Sequence, residues 1–171
     1  VNFTTDVGFV ASSGSTSDNL EGTRSLNSLT NFQQNSAHIS IWCTNIGGAF
    51  AASGMGAVSS PVSIFPMFSD NNIYLRVNDN PESGGFSIAT PEGHSLGNRS
   101  SSTARQGYRN GSSVGSYGSV NSVAPGSDVM RYIPGNTAIT LNAATIGGSL
   151  NSTEVTDLYN ALNTLKTAIG W

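Results

Sequence analysis

The C-terminal segment from Leu150 to Trp171 constrains the fold more than any other part of the chain. Asn151 can cap a helix, and Glu154, three residues later, completes a capping box, with Leu150 and Val155 placed for a hydrophobic staple. Apolar side chains then recur at helical spacing, and a glycine follows as a stop. We therefore predict an amphipathic α-helix over about 152–169 that braces a structure made of strands. Its apolar stripe comprises Val155, Leu158, Tyr159, Leu162, Leu165 and Ile169, before Gly170.

The residues before this helix carry the alternation typical of β-strands. His38–Thr44 and Ile73–Val77 have the strongest period-two patterns. Asn110-Gly111 predicts a hairpin because both central positions of such a turn favour positive φ. Shorter strands are predicted at 3–10, 49–52, 62–68 (broken by Pro66), 86–89, 103–108, 114–120, 130–133 and 138–146, whereas 11–31 and 93–95 are interpreted as loops.

Many short, half-buried strands need a second layer to cover their apolar faces. The chain is also long enough for one domain with a substantial core. We therefore predict an all-β fold, an antiparallel two-sheet jelly-roll sandwich with one C-terminal α-helix, as a single domain over residues 1–171.

The composition excludes several classes of function. Only 10% of the residues are charged, the net charge is −3, and Lys166 is the sole lysine, so no basic surface for nucleic acid is expected. No apolar run approaches the roughly 20 residues of a membrane span. Cys43, the single cysteine, cannot form an internal disulfide and is predicted to be a buried thiol. The absence of a starting Met suggests a mature product or a piece of a longer polypeptide.

Four segments, taken in order, resemble the concanavalin A-like (laminin G-like) jelly-roll domains of bacteriophage tail and virion proteins. In those domains a Tyr-x-Asn-Gly hairpin precedes a last strand and a short amphipathic helix, and here the hairpin reads Tyr108-Arg109-Asn110-Gly111. The resemblance implies a two-sheet sandwich in a virion or extracellular setting, among other virion subunits in a homo-oligomer. The segments are 31–42, 73–79, 107–111 and 146–150 running into 158–165.

Aromatic residues on two strong strands suggest a binding face. If the isoleucines of His38–Thr44 point inward, Trp42 points outward, and the same alternation turns Tyr74 and Arg76 outward. A face carrying Trp42, Tyr74 and Arg76 could stack on a sugar ring and bond its hydroxyls. The alternative is that these side chains cover a loop or contact a neighbouring subunit.

The acidic residues give no catalytic pattern. None of the four glutamates stands in the paired-carboxylate spacing of jelly-roll glycosidases, and His38 and His94 have no Gly-x-Ser-x-Gly partner motif. We therefore expect no enzyme and no required cofactor. Asp70 and Asp79, in turns that flank one strand, are candidate calcium ligands, although Asp is also common in turns for its own hydrogen bonds.

These inferences predict a non-catalytic virion appendage domain of a tail fibre, spike or decoration protein that binds host-cell surface glycan. One alternative is a purely architectural virion subunit whose aromatics pack against neighbours. A carbohydrate-active enzyme is a third hypothesis, and the pattern of carboxylates gives it little support.

Overall fold

The computed structural model describes residues 2–4, 8–10, 20–47, 54–57, 61–66, 68, 70–80, 85–117, 121–132 and 138–170. Its elements in chain order are β1 (Asn2–Thr4), β2 (Gly8–Val10), β3 (Leu20–Ser25), a 3-10 turn (Leu26–Ser28), β4 (Ala37–Gly47), β5 (Met55–Gly56), β6 (Val62–Phe65), β7 (Asn72–Val77), β8 (Asp79–Asn80), β9 (Phe86–Ser87), β10 (Gly93–Arg99), β11 (Arg105–Arg109), β12 (Ser112–Tyr117), β13 (Asn121–Ser122), β14 (Val129–Tyr132), β15 (Ala138–Gly147) and α1 (Ser152–Ile169).

Two antiparallel sheets form the sandwich. One has seven strands in the order β1-β2-β15-β4-β10-β11-β12, and the other has six in the order β3-β14-β5-β6-β7-β9. A short β13-β8 pair lies beside them. The predicted all-β, two-sheet sandwich with a C-terminal helix is confirmed.

The core lies between the sheets and is built by strand alternation. Ile39 and Ile41 of β4 are fully buried, and they share one apolar cluster with Ile73 and Leu75 of β7. Cys43 is in the same cluster, as predicted for a structural thiol. The other side chains of these two strands therefore face away from the core, which confirms the predicted alternation.

The helix begins and ends where the sequence predicted. Asn151 Oδ1 accepts hydrogen bonds from the backbone N–H groups of Thr153 and Glu154, and Glu154 Oε2 accepts one from Asn151 N. Gly170 ends the helix in the left-handed region with φ 76°. In the part of the chain that the structure describes, no helix combines the length and apolarity needed to span a bilayer.

Several strand predictions are confirmed and others are corrected. The hairpin at Asn110-Gly111 has φ values of 48° and 78°, and β6 ends at Phe65 before Pro66. Residues 20–25, interpreted as loop, form β3, and residues 3–10 hold two strands, β1 and β2, paired as a hairpin. The predicted strand at 49–52 lies outside the described residues, as do the predicted strand ends at 118–120 and 133.

The largest correction concerns β10. Gly93-His94-Ser95 was interpreted as loop, but it opens a strand in the interior of the seven-stranded sheet, paired with β4 on one side and β11 on the other. The strand was missed because Leu96 is its only large aliphatic residue, so it shows no apolar alternation. Its small residues admit close neighbours: a Cβ at Gly97 would lie 2.8 Å from Val77 Cγ2 in the opposite sheet.

Candidate functional site

Trp42 lies under the helix and is only 3% exposed. Its ring stacks on that of Tyr159 with centroids 5.6 Å apart and an interplanar angle of 2°, and on the ring of His94 at 5.8 Å. Lys166 Nζ lies 5.3 Å from the Trp42 ring centroid. Trp42 is thus an anchor for α1 and has no free face for a sugar.

Helical spacing explains how α1 covers this face of the seven-stranded sheet. Val155, Tyr159 and Lys166 recur on one side of the helix, and Val155 is completely buried with Leu96 and Tyr108. The predicted apolar stripe is not buried along its whole length. Near its C-terminal end, Leu165 and Ile169 are 46% and 51% exposed.

Tyr74 and Arg76 lie on the other sheet, on its outer face. Because Trp42 belongs to the seven-stranded sheet and these two belong to the six-stranded sheet, the prediction that all three share one face is wrong. Within their own sheet, Tyr74 and Arg76 point away from the core as predicted, and both are half-buried.

These two residues form a cluster with two phenylalanines, which we call the aromatic–arginine surface: Phe65, Phe68, Tyr74 and Arg76. The Arg76 guanidinium carbon lies 5.0 Å from the Phe65 ring centroid and 5.8 Å from that of Tyr74. Phe68 packs edge-on against Tyr74 at 5.4 Å and against Phe65 at 6.0 Å. The result is a half-buried platform of rings with a cation held over them, outside the core and on the sheet opposite to α1.

Asp70 holds the Tyr74 hydroxyl in place. Its Oδ2 accepts from the Tyr74 hydroxyl at 2.7 Å and from Asn72 Nδ2 at 2.9 Å, and its Oδ1 accepts from Asn72 N. The bond from Tyr74 is the main cause that lowers the pKa of Asp70. In the described structure Asp70 therefore acts as a turn residue that orients Tyr74, and calcium binding there stays a prediction.

Asp79 was also predicted as a calcium ligand, but in the structure its carboxylate pairs with two arginines. Its Oδ1 lies 2.6 Å from Arg99 Nη2 and its Oδ2 lies 2.7 Å from Arg105 Nη1, and all three side chains are fully buried. Burial raises the pKa of Asp79, and the two guanidinium groups lower it. Two cations already occupy both carboxylate oxygens, so this position repels a metal ion. Among the described residues, no group of three or more His, Cys, Asp or Glu side chains could hold one.

His94 and Cys43 are buried in inert settings. Burial lowers the pKa of His94 to about 4, and neither of its ring nitrogens has a hydrogen-bond partner among the described residues. Burial raises the pKa of the Cys43 thiol to about 12. Neither group can exchange protons with a substrate at neutral pH.

A polar groove of about 590 Å³ opens between the start of α1 and strands β10 to β12, and the sequence did not predict it. Its lining residues are all uncharged. Tyr108 forms part of its floor, with Gln106 and Ser113 beside it. The strand predicted at 103–108 contained Gln106 and Tyr108, but the start of β10 was interpreted as loop, so the sequence did not place a third strand beside them.

No protein-family model matches the chain, and no curated protein matches it in sequence. Solved structures do share its fold. The binding domain of Paraclostridial Mosquitocidal Protein 1 superposes with a TM-score of 0.58 at 17% identity, over 77% of this chain and 38% of that one. The binding domain of botulinum neurotoxin DC in complex with SialylT has a TM-score of 0.53 at 17% identity, over 75% and 36%.

A further match is domain 4 of AbnA, a GH43 extracellular arabinanase from Geobacillus stearothermophilus, in complex with arabinotriose. Its TM-score is 0.55 at 19% identity, over 82% of this chain and 71% of that one. The chain spans less than half the length of the two toxin domains above. At these identities the likeness shows the fold alone, that of a β-sandwich domain.

Proposed function

We propose that this protein is a non-catalytic carbohydrate-binding β-sandwich domain, and that the aromatic–arginine surface is its binding site. Half-buried rings offer apolar faces to the C–H side of a sugar, and Arg76 offers donors to its hydroxyls. This cluster is the observation that carries the proposal. Two proteins of the same fold, the AbnA domain with arabinotriose and the neurotoxin domain with SialylT, carry ligands named in their structures.

The setting we propose is extracellular, as the host-attachment domain of a virion appendage such as a tail fibre, spike or decoration protein. A surface with few charges avoids non-specific electrostatic adhesion, which suits a particle that must find one glycan among many surfaces. Single sugar contacts are weak, so binding would depend on several copies in a homo-oligomer. The inert environments of His94 and Cys43 support a non-catalytic role.

Glycan-array binding of the multimerised chain tests this proposal. Tyr74→Ala and Arg76→Ala should each weaken binding by roughly three- to tenfold, the value of one aromatic or cation–π contact. Arg24→Ala is a matched control, because Arg24 is an exposed arginine on β3 of the same sheet, outside the cluster. Equal binding by Arg76→Ala and Arg24→Ala would contradict the assignment of the site.

The architectural alternative rests on a different observation, the exposed Leu165 and Ile169 at the end of α1. Exposed apolar side chains on one helix suit contact with a neighbouring subunit. If the architectural hypothesis is right, the protein should bind no glycan at high avidity, and it should self-associate in a way that Leu165→Asp abolishes. Both outcomes together would replace the carbohydrate-binding proposal.

A further inference from the structure

We propose a second ligand site, in the polar groove between α1 and strands β10 to β12, that binds a neutral sugar unit through the hydroxyl of Tyr108. This site lies on the seven-stranded sheet, whereas the aromatic–arginine surface lies on the six-stranded sheet. It does not depend on the proposed function of that surface.

The unused hydroxyl of Tyr108 is the first observation. The residue is 6% exposed, and its side chain packs in a cluster with Leu96 and Val155. Its hydroxyl makes no hydrogen bond to any residue that the structure describes, yet Tyr108 lines the groove. The hydroxyl is therefore open to the groove, where the hydroxyl of a ligand can bond to it.

Neighbouring polar groups complete a set of donors and acceptors. Gln106 Nε2 donates to Ser113 Oγ at 2.9 Å, which leaves the amide oxygen of Gln106 as an acceptor and the Ser113 hydroxyl as a donor. Ser113 is the register partner of Tyr108 on the adjacent strand. A sugar hydroxyl both donates and accepts, and it can therefore satisfy all three groups.

The wall beside them is already fixed. Asn98 Nδ2 donates to the Leu150 carbonyl at 2.9 Å, and Leu150 N donates to Asn98 Oδ1 at 2.8 Å. These two hydrogen bonds tie β10 to Leu150, two residues before α1, and fix the position of this wall of the groove. A preformed site loses little entropy when a ligand binds.

Charge selects a neutral ligand over an anion. None of the lining residues is charged, and the N–H groups of Thr153 and Glu154 in the first turn of α1 already donate to Asn151 Oδ1. Glu154 adds a carboxylate in the first turn of the same helix. Phosphates and carboxylates are therefore repelled, and burial raises the pKa of Tyr108, which keeps its hydroxyl a neutral donor. The volume of about 590 Å³ is within the usual range of small-ligand sites, roughly 300–1,000 Å³.

The test is an NMR titration of the full chain with arabinotriose, lactose and cellobiose at millimolar concentrations, with inorganic phosphate as the anionic probe. We expect at least one sugar to shift the amide signals of Gln106, Ser113 and Ser152, and phosphate to shift none of them. Tyr108→Phe removes only the hydroxyl and should weaken this binding by roughly three- to tenfold, the value of one neutral hydrogen bond. Tyr132→Phe, on the other sheet, is the matched control.

Ser113→Leu provides a second variant, because Ser113 is exposed and a leucine there would fill the groove without disturbing the core. It should abolish the shifts. The proposal is overturned if no sugar shifts these signals, or if Tyr108→Phe binds as tightly as Tyr132→Phe. Arg76→Ala should leave the groove signals unchanged, so failure of this site and failure of the aromatic–arginine surface are separate results.

Discussion

Arg99, Asp79 and Arg105 form a charged cluster that water does not reach. Arg99 Nε donates to the Val77 carbonyl at 2.6 Å, and Arg105 donates to the Leu75 carbonyl. The arginines of β10 and β11 therefore reach into the opposite sheet and tie the backbone of β7 to the seven-stranded sheet. Buried charges of this kind are costly to separate, since each was removed from water.

We expect Asp79→Asn to lower the free energy of unfolding by about 3–5 kcal/mol, because two buried guanidinium groups lose their counter-charge. Urea denaturation measures this. Asp157→Asn, an exposed carboxylate on α1, is the control and should change stability by less than about 0.5 kcal/mol. A loss at Asp79 no larger than at Asp157 would show that the cluster contributes no stability.

His94 makes stability depend on pH. Burial lowers its pKa from 6.5 to about 4 in the folded protein, with smaller effects of Arg109 and His38. As the pH falls from 6.5 to 4, the unfolded chain binds a proton that the folded protein does not, so the free energy of unfolding should fall by about 3 kcal/mol. Denaturation curves across this range measure the slope.

His94→Phe is the matched variant, because a phenyl ring can keep the stacks on Trp42 and Tyr159 without a titrating nitrogen. Its pH slope should be clearly shallower, with the remainder due to His38, whose pKa is also lowered by burial. Identical slopes in the two proteins would rule out His94 as the titrating group.

At the scale of the element, α1 holds its own ends and depends on the sheet for its position. The capping box bonds its first turn, and Val155, Tyr159 and Lys166 attach one side to Leu96, Tyr108 and Trp42. Most of its other residues are exposed. The contact is concentrated in the first half of the helix, so the start of α1 should control docking.

We expect Asn151→Ala to destabilise the protein by about 1 kcal/mol, since two N–H groups of the first turn lose their acceptor. Asn160→Ala, at an exposed position in the middle of the same helix, should instead stabilise slightly through higher helix propensity. Thermal unfolding followed by circular dichroism distinguishes the two. Equal effects of both variants would mean that the Asn151 side chain does not stabilise the helix as a cap.

At the scale of the whole molecule, the sandwich encloses a thiol whose reaction rate can measure how often the two sheets separate. Cys43 is completely buried in the core, and burial raises its pKa to about 12. The two sheets must separate before a reagent reaches it, and burial keeps the thiol protonated until they do.

Cys43 should resist a thiol-specific reagent in native buffer and react fully in denaturant. Asp79→Asn should speed the reaction in native buffer, because it raises the population of opened molecules. Ser112→Cys in a Cys43→Ala background is the control, since Ser112 is exposed and a thiol there should react at once. Rapid labelling of native Cys43 would show that the core around it opens locally, without global unfolding.

Much of the fold could be predicted from local pattern, but only part of the candidate site. Tyr74 and Arg76 were predicted to face outward, and they do, whereas the partners that make a surface of them, Phe65 and Phe68, come from neighbouring segments. Asp79 could not be separated from an ordinary turn carboxylate, because its arginine partners on β10 and β11 are distant in the chain.

The sequence by itself determined the limits of α1, the strands β4 and β7 with their inward and outward faces, and the Asn110-Gly111 hairpin. These features depend on periodicity, capping and φ preferences among residues close together in the chain. Only the tertiary structure decided that β10 is an interior strand, that Trp42 lies under Tyr159, and that Tyr108 faces a polar groove. Each of these depends on which distant segments pair and which sheet face the helix covers, and no local pattern carries that information.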